Sequence, residues 1–160
     1  IQTLSAGMER LKRDIVGWVK ALPGVATVVE RNDTGTRVME GLEQKKGIVE
    51  GETVENLKIR IGGLSVSVDP LNGQKTGAYL DQRHNREDAL ALARGKVLDL
   101  FCYQGWFSLA LAAPRPGPNP VSEVTAVDQS APALAILEQD AKDNGIANIK
   151  AVRSHVFDFL

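Results

Sequence analysis

The sequence predicts an α/β fold in which strands of a parallel sheet alternate with helices in the second part of the chain. Three short runs have the composition of buried strands: Lys96–Phe101, Val124–Asp128 and Ile149–Arg153. The segments between them predict helices, one over Phe107–Ala113 and one that begins after the N-cap candidate Ser130 and ends before Gly145. This alternation and spacing indicate parallel strands joined by right-handed crossovers.

The residues before this unit predict a smaller α+β segment. Apolar side chains recur at three- and four-residue steps near the amino terminus and predict an amphipathic helix packed through this stripe: Leu4, Met8, Leu11, Ile15 and Trp18. The β-branched run Val25–Arg31 predicts a strand, and two alternating runs around Gly62-Gly63 predict a β-hairpin. We therefore expect a small α+β domain at residues 1–60 and a parallel-sheet domain at residues 61–160.

The composition argues against several classes of protein. The 160 residues are 43% apolar, which argues against disorder, and their net charge of −1 excludes a wholly basic nucleic-acid wrapper. The single cysteine, Cys102, cannot form an internal disulfide, and no Cys/His cluster predicts a metal site. Both features fit a cytoplasmic protein. No apolar run reaches the roughly 18 residues of a transmembrane helix.

Two acidic residues stand at the ends of neighbouring predicted strands. Asp99 comes late in the first strand and Asp128 ends the second, where open parallel sheets bind their ligands. Gly105 lies in the first strand-to-helix turn, where the backbone must allow a ligand to approach closely. Asp128 is placed to accept hydrogen bonds from the ribose hydroxyls of an adenosine group, whether in NAD, FAD or S-adenosylmethionine (SAM).

The turn after the first strand distinguishes between these cofactors. A dinucleotide site typically has three glycines in this turn, whereas the run from Asp99 to Phe107 contains only Gly105. The carboxylate of Asp99 would repel a pyrophosphate but attract a sulfonium ligand with a free amino group. We therefore expect SAM, with a nicotinamide or flavin oxidoreductase as an alternative.

Two longer motifs carry a family resemblance. VDPLNGQKTGAYLDQRHNR (68–86) and VLDLFCYQGWFSLALA (97–112) resemble the class I SAM-dependent methyltransferases that modify cytosine C5 in large-subunit ribosomal RNA. The amino-terminal helix, Glu30–Asp33 and Glu40–Leu42 also resemble the central domain of that family. The resemblance implies a Rossmann-like methyltransferase sheet, of which this chain contains the first three strands. Trp106 stands where the family has a glycine.

The resemblance also implies roles for individual residues. Asp99 and Gly105 would line the methionine end of SAM, and Asp128 would hold the ribose. His155 stands where the family usually has an acid that meets the adenine amino group, and Val156 would add a backbone contact and an apolar wall. Five further residues fall in the segment that packs over the cofactor: Lys75, Thr76, Tyr79, Asp81 and Arg83.

Cytosine C5 methylation needs a cysteine thiolate, which attacks C6 of the base. The family places this cysteine after its fourth strand, whereas the sequence ends at Leu160, just after the third predicted strand. Cys102 lies in the cofactor turn without a neighbour in sequence that would activate it. We therefore expect no catalytic residue in this chain. Because it also begins at Ile1 without a methionine, we expect a truncated half of an enzyme, inactive by itself.

The expected macromolecular partner is RNA, namely large-subunit ribosomal RNA. In the usual strand order Lys96–Phe101 would be an internal strand, so a missing carboxy-terminal half or a homodimer partner would cover its edge. A non-catalytic, methyltransferase-like module that binds RNA or a protein partner is the second alternative.

Overall fold

The computed structural model describes residues 1–53, 57–74, 79–115 and 120–160. Its described residues group into two compact units. The amino-terminal unit takes its residues from 1–57 and 68–78, and the carboxy-terminal unit takes its residues from 58–67 and 79–160. The predicted domain boundary between residues 60 and 61 stays a prediction. No helix among the described residues combines the length and the apolar character needed to cross a membrane.

The amino-terminal unit contains two helices and a two-stranded sheet: α1 (Ala6–Lys20), β1 (Val28–Asn32), α2 (Gly35–Met39) and β2 (Lys45–Glu50). Strands β1 and β2 pair antiparallel. Helix α1 begins after Ser5, whose side chain accepts a hydrogen bond from the amide of Met8. Lys12 on α1 forms an ion pair with Glu30 on β1, which ties the helix to this sheet.

A buried polar network holds this unit together. Arg37 on α2 is only 1% exposed. Its guanidinium donates to the Thr3 carbonyl, to the Glu9 carboxylate at 2.7 Å and to the Glu43 carbonyl at 2.8 Å. The side chain of Asn32 accepts from the Thr3 amide at 2.7 Å. These bonds join the chain start, α1, β1 and the segment after α2, and they satisfy the buried charge.

Helix α1 has the predicted apolar periodicity, but the prediction that Trp18 packs in a core is wrong. Trp18 is 67% exposed, and no residue of α1 is fully buried. Met8 and Leu11, on the same stripe, are also exposed. The helix packs against β1 and β2, and its Glu9 contacts Arg37 on α2, but these contacts leave part of the stripe exposed.

The carboxy-terminal unit contains a three-stranded parallel sheet of β5 (Gly95–Leu100), β6 (Val121–Asp128) and β7 (Ile149–Arg153), with β6 in the centre. The helices α3 (Arg83–Leu92), α4 (Trp106–Ala112) and α5 (Ala131–Asp143) belong to the same unit, and α6 (Val156–Phe159) follows β7. A short 3₁₀ turn at Leu80–Gln82 precedes α3. The core packs the apolar side of β6 against α4 and α5, with Val124, Leu109 and Leu137 fully buried. The predicted alternating α/β order is confirmed.

The predicted hairpin is also present, as β3 (Leu57–Ile61) and β4 (Leu64–Val68), joined by Gly62 and Gly63 at positive φ. The buried carboxylate of Asp140 on α5 anchors β4, because it accepts hydrogen bonds from the Ser67 amide at 2.8 Å and hydroxyl at 2.6 Å. Asn144 adds two bonds to the backbone of Ser65. Polar bonds of high sequence separation therefore hold the hairpin on the helix that follows β6.

Candidate functional site

Asp99 and Asp128 lie near the carboxyl ends of the adjacent strands β5 and β6. Backbone bonds fix the neighbouring turns at this edge. The amide of Cys102 donates to the Val127 carbonyl at 3.1 Å, and the amide of Ser154 donates to the Asp128 carbonyl at 3.1 Å. The parallel sheet therefore brings the segments after all three strands to one edge, as the sequence predicts.

Asp99 is a largely buried carboxyl group. Burial is the main cause that raises its pKa above the usual value, and the nearby charge of Asp128 adds to the effect. One carboxylate oxygen accepts a hydrogen bond from the hydroxyl of Ser108 on α4 at 2.6 Å, which favours the ionised form. A cation bound beside this group would lower its pKa again, so the site favours positively charged ligands.

Asp128 organises the two turns beside it. One of its oxygens accepts from the amide of Tyr103 and the other from the amide of Ser130, both at 2.8 Å. These bonds give Asp128 a structural role at the strand end. Because each carboxylate oxygen can accept more than one hydrogen bond, the group keeps capacity for two ligand hydroxyls.

The turn between β5 and α4 has an unusual backbone. Phe101 and Tyr103 both have positive φ, at 57° and 49°, and Gly105 has φ 68°. A Cβ atom at Gly105 would lie 2.4 Å from Cδ1 of the buried Leu137. The glycine is therefore required for helix packing and for the left-handed conformation, in addition to its predicted role in ligand approach.

Cys102 lies in the same turn and is buried. Burial, followed by the charges of Asp99 and Asp128, raises the pKa of its thiol to about 12. The thiol therefore stays protonated near neutral pH, where only a thiolate would be a good nucleophile. This supports the prediction that Cys102 is not catalytic.

His155 and Val156 follow β7. His155 is exposed at the N-cap position of α6, whereas Val156 is buried. The His155 ring lies 5.7 Å from the ring of Phe157, which makes an edge-on contact with Phe101 at 6.0 Å. The segments after β5 and β7 thus meet through aromatic side chains at the edge that carries Asp99 and Asp128.

The predicted cofactor-covering segment is only partly described. Lys75 and Thr76 lie outside the described residues. Tyr79 directly precedes the 3₁₀ turn, in which the exposed Asp81 accepts a bond from Gln82. Arg83 is mostly exposed and forms an ion pair with Glu87 at 3.4 Å. The contacts of Asp81 and Arg83 are local ones, and the roles of these five residues stay predictions.

Sequence reasoning missed Arg86 on α3, which is only 6% exposed. Its guanidinium carbon lies 5.8 Å from the centre of the Trp106 ring and 6.0 Å from that of Phe107. In the sequence, Arg86 stands among charged residues that suggest a solvated helix face. Only its position in the predicted cofactor motif could have drawn attention to it.

A cleft of about 380 Å³ lies elsewhere in this unit. Its lining comes from the end of α4, the start of β6 and the segment before β7, and includes Arg115 and Asn148. Because strands β6 and β7 begin there, this cleft is at the opposite end of the sheet from Asp99 and Asp128.

Comparison with known proteins places this fold among methyltransferases. No family model matches the chain. The chain is 41% identical over 164 residues to ribosomal RNA large subunit methyltransferase I of Aeromonas hydrophila, an alignment that covers 99% of this chain and 40% of that protein. The protein of the same name from Photobacterium profundum is 38% identical over 163 residues, with the same coverage. The chain thus spans about two-fifths of the length of these relatives.

Solved structures show the same fold at lower sequence identity. A protein named as a SAM-dependent methyltransferase from Streptococcus mutans has a TM-score of 0.75 and 24% identity, covering 96% of this chain and 39% of that one. A structure named as a methyltransferase complexed with S-adenosylhomocysteine (SAH) has a TM-score of 0.74 and 24% identity, covering 94% and 38%. A tRNA methyltransferase of M. jannaschii has a TM-score of 0.71 and 18% identity, covering 95% and 44%. Over the part that it spans, the chain is homologous to proteins named ribosomal RNA large subunit methyltransferase I.

Proposed function

We propose that this chain binds SAM at the carboxyl edge of its parallel sheet and forms the cofactor half of an RNA methyltransferase. The observation that carries the proposal is the pair Asp99 and Asp128 on adjacent strand ends, in a chain related to named ribosomal RNA methyltransferases. The partly buried Asp99 would face the cationic methionine end of SAM, whose charge offsets the cost of burying the carboxylate. Asp128 would accept the ribose hydroxyls with the capacity left by its two amide bonds.

The remaining predicted residues would complete the cofactor site. His155 and the buried Val156 would border the adenine, and Gly105 would allow the backbone to approach the methionine end. Lys75, Thr76, Tyr79, Asp81 and Arg83 would lie on the covering segment. These residues would position the cofactor, because methyl transfer requires the sulfonium methyl group to be held in line with the attacking atom.

For the whole protein, we propose that the target is a cytosine of large-subunit ribosomal RNA, methylated at C5. This reaction requires a thiolate, and the pKa of about 12 makes Cys102 unsuitable for that role. The nucleophile would therefore come from a part of the enzyme outside this chain, which by itself would be inactive. A target base within a structured region would be flipped out of its stack. A ribosomal RNA substrate implies a cytoplasmic location.

We further propose that the outer edge of β5 is covered in the whole protein. Leu98 on this strand is 45% exposed, and Phe101 after it is exposed as well. An open, apolar strand edge favours pairing with another strand. Additional strands of a longer chain would provide this cover, and a second copy of the chain is the alternative.

Calorimetric titration of the chain with SAH tests the cofactor proposal, with NADH as the competing ligand class. We expect saturable binding of SAH, none of NADH, and loss of SAH binding in Asp128→Ala. Asp88→Ala, at an exposed position on α3, is the matched control and should bind as the wild type does. Binding of NADH in preference to SAH, or equal binding of SAH by Asp128→Ala, would contradict the proposal.

A further inference from the structure

Arg86 is a buried residue whose guanidinium forms no ion pair within the described part of the chain. Among the described residues, its guanidinium has no hydrogen-bond or ion-pair partner, although the residue is 6% exposed. Partial burial is the main cause that lowers the pKa of this guanidinium, because it disfavours the charged form. A buried charge of this kind normally has a partner.

The aromatic neighbours of Arg86 satisfy only part of this requirement. The faces of Trp106 and Phe107 attract the cation, but they do not replace conventional acceptors for its five N–H groups. The indole Nε1 of Trp106 is also buried, and it has no partner within the part of the chain that the structure describes. Helices α3 and α4 therefore place two unsatisfied donor groups close together.

The carboxylates at the carboxyl edge of the sheet and the neighbouring one on α3 are already engaged. Asp99 accepts from Ser108, and Asp128 accepts from two backbone amides. Glu87, the next residue along α3, contacts Arg83 and His84 at 3.4 and 3.3 Å. An external anion would therefore be the natural partner of the Arg86 guanidinium and the Trp106 indole.

The position of Trp106 indicates which anion this is. Trp106 directly follows Gly105 in the turn that the proposed function assigns to the methionine end of SAM. That end carries one carboxylate, besides its ammonium and sulfonium groups. We propose that Arg86 and the Nε1–H of Trp106 bind the carboxylate of SAM, an inference that rests on the proposed function.

The two sides of the site would then match the two signs of charge on the ligand. Asp99 serves the ammonium and sulfonium side, while Arg86 serves the carboxylate side. The methyltransferase family that the sequence resembles has a glycine at the position of Trp106. The indole of Trp106 would therefore add a side-chain hydrogen-bond donor that is absent in that family. Specificity for the amino-acid end of the cofactor would depend on this pair.

The test compares SAH with decarboxylated SAH, which lacks only the carboxylate, by calorimetry on the 160-residue chain. We expect the wild type to bind SAH about 10- to 100-fold more tightly than the decarboxylated ligand. Arg86→Met should remove this preference by weakening SAH alone, and Arg86→Lys should restore part of it. Trp106→Phe, which keeps an aromatic ring but removes Nε1, should reduce the preference severalfold. Arg94→Met, at an exposed position after α3, is the matched control and should keep it.

The outcomes separate this inference from the proposed function. Equal binding of both ligands by the wild type, or an equal loss of both in Arg86→Met, would overturn the carboxylate role and leave SAM binding intact. Binding of neither ligand by the folded wild type would overturn the proposed function and the inference with it. If circular dichroism shows that Arg86→Met does not fold, Arg86→Lys and Trp106→Phe decide the question, since an unchanged preference in both variants overturns the inference.

Discussion

Arg37 and Arg86 are both buried arginines, yet their surroundings differ completely. Arg37 in the amino-terminal unit donates to a carboxylate and to two backbone carbonyls. Arg86 in the carboxy-terminal unit contacts two aromatic rings and, among the described residues, no hydrogen-bond acceptor. Removing a buried charge from its internal acceptors destabilises the fold, whereas a charge without acceptors costs stability until a ligand supplies one. The difference separates a structural arginine from a candidate binding residue.

The largest expected effect that tests this comparison is on folding. Arg37→Met should lower the free energy of unfolding by about 3–5 kcal/mol, because it removes the buried guanidinium that the Glu9 carboxylate and the carbonyls of Thr3 and Glu43 accept from. Arg86→Met should leave the ligand-free chain as stable as the wild type, or more stable, because it removes a partly buried cation that has no hydrogen-bond partner among the described residues. Urea denaturation measures both, with the exposed Arg13→Met as control. A large loss in Arg86→Met without ligand would contradict the comparison.

A smaller effect is expected at the cofactor turn. Gly105→Ala should cost about 1–3 kcal/mol, because the new methyl group meets Leu137 and the residue must keep a positive φ. Gly62→Ala is the control, since Gly62 also has positive φ but nothing within 4 Å of a new Cβ. Denaturation should therefore show a larger loss for Gly105→Ala. Equal losses would mean that backbone strain alone accounts for the effect.

The Arg37 network also predicts a pH dependence. The hydrogen bond from Arg37 is the main cause that lowers the pKa of Glu9 to about 2. Because the folded pKa is below the ordinary value, the stabilisation is present above about 4.5 and is lost as the pH falls towards 2. Glu9→Gln should flatten this part of the stability profile, as measured by thermal unfolding between pH 2 and 6. A profile with the same slope in Glu9→Gln would show that other groups cause the acid loss.

Asp99 should make the stability depend on pH in the opposite direction, and this change in stability should be the smallest of those predicted. Its folded pKa is raised, mainly by burial, so the ligand-free chain should lose stability as the pH rises from the ordinary aspartate pKa through the raised value. Asp99→Asn should remove this loss and be at least as stable as the wild type at neutral pH. Thermal unfolding of both proteins against pH provides the measurement. If the wild type instead gained stability relative to Asp99→Asn as the pH rises through this window, burial would not be the main cause of the pKa shift.

Much of the parallel-sheet unit could be predicted from the sequence. The predicted strand Ile149–Arg153 coincides with β7, and the helix predicted after Ser130 agrees with α5. Asp99 and Asp128 could be placed at one edge because the end of each strand is a local feature and parallel strands align their ends. Trp18 could not be placed, because a helical stripe shows which residues share a face and not whether a neighbour covers that face.

The sequence by itself determined the order of strands and helices from β5 to β7, the turn at Gly105 and the placing of two carboxylates at strand ends, because these depend on residues close together along the chain. Only the tertiary structure decided how much of α1 is covered, what a Cβ at Gly105 would meet and how the buried charges are partnered. Arg37 finds its acceptors in residues as distant as Thr3, whereas Arg86 packs between α3 and α4 without any among the described residues. Burial and pairing depend on contacts between residues far apart in sequence, and therefore local patterns do not reveal them.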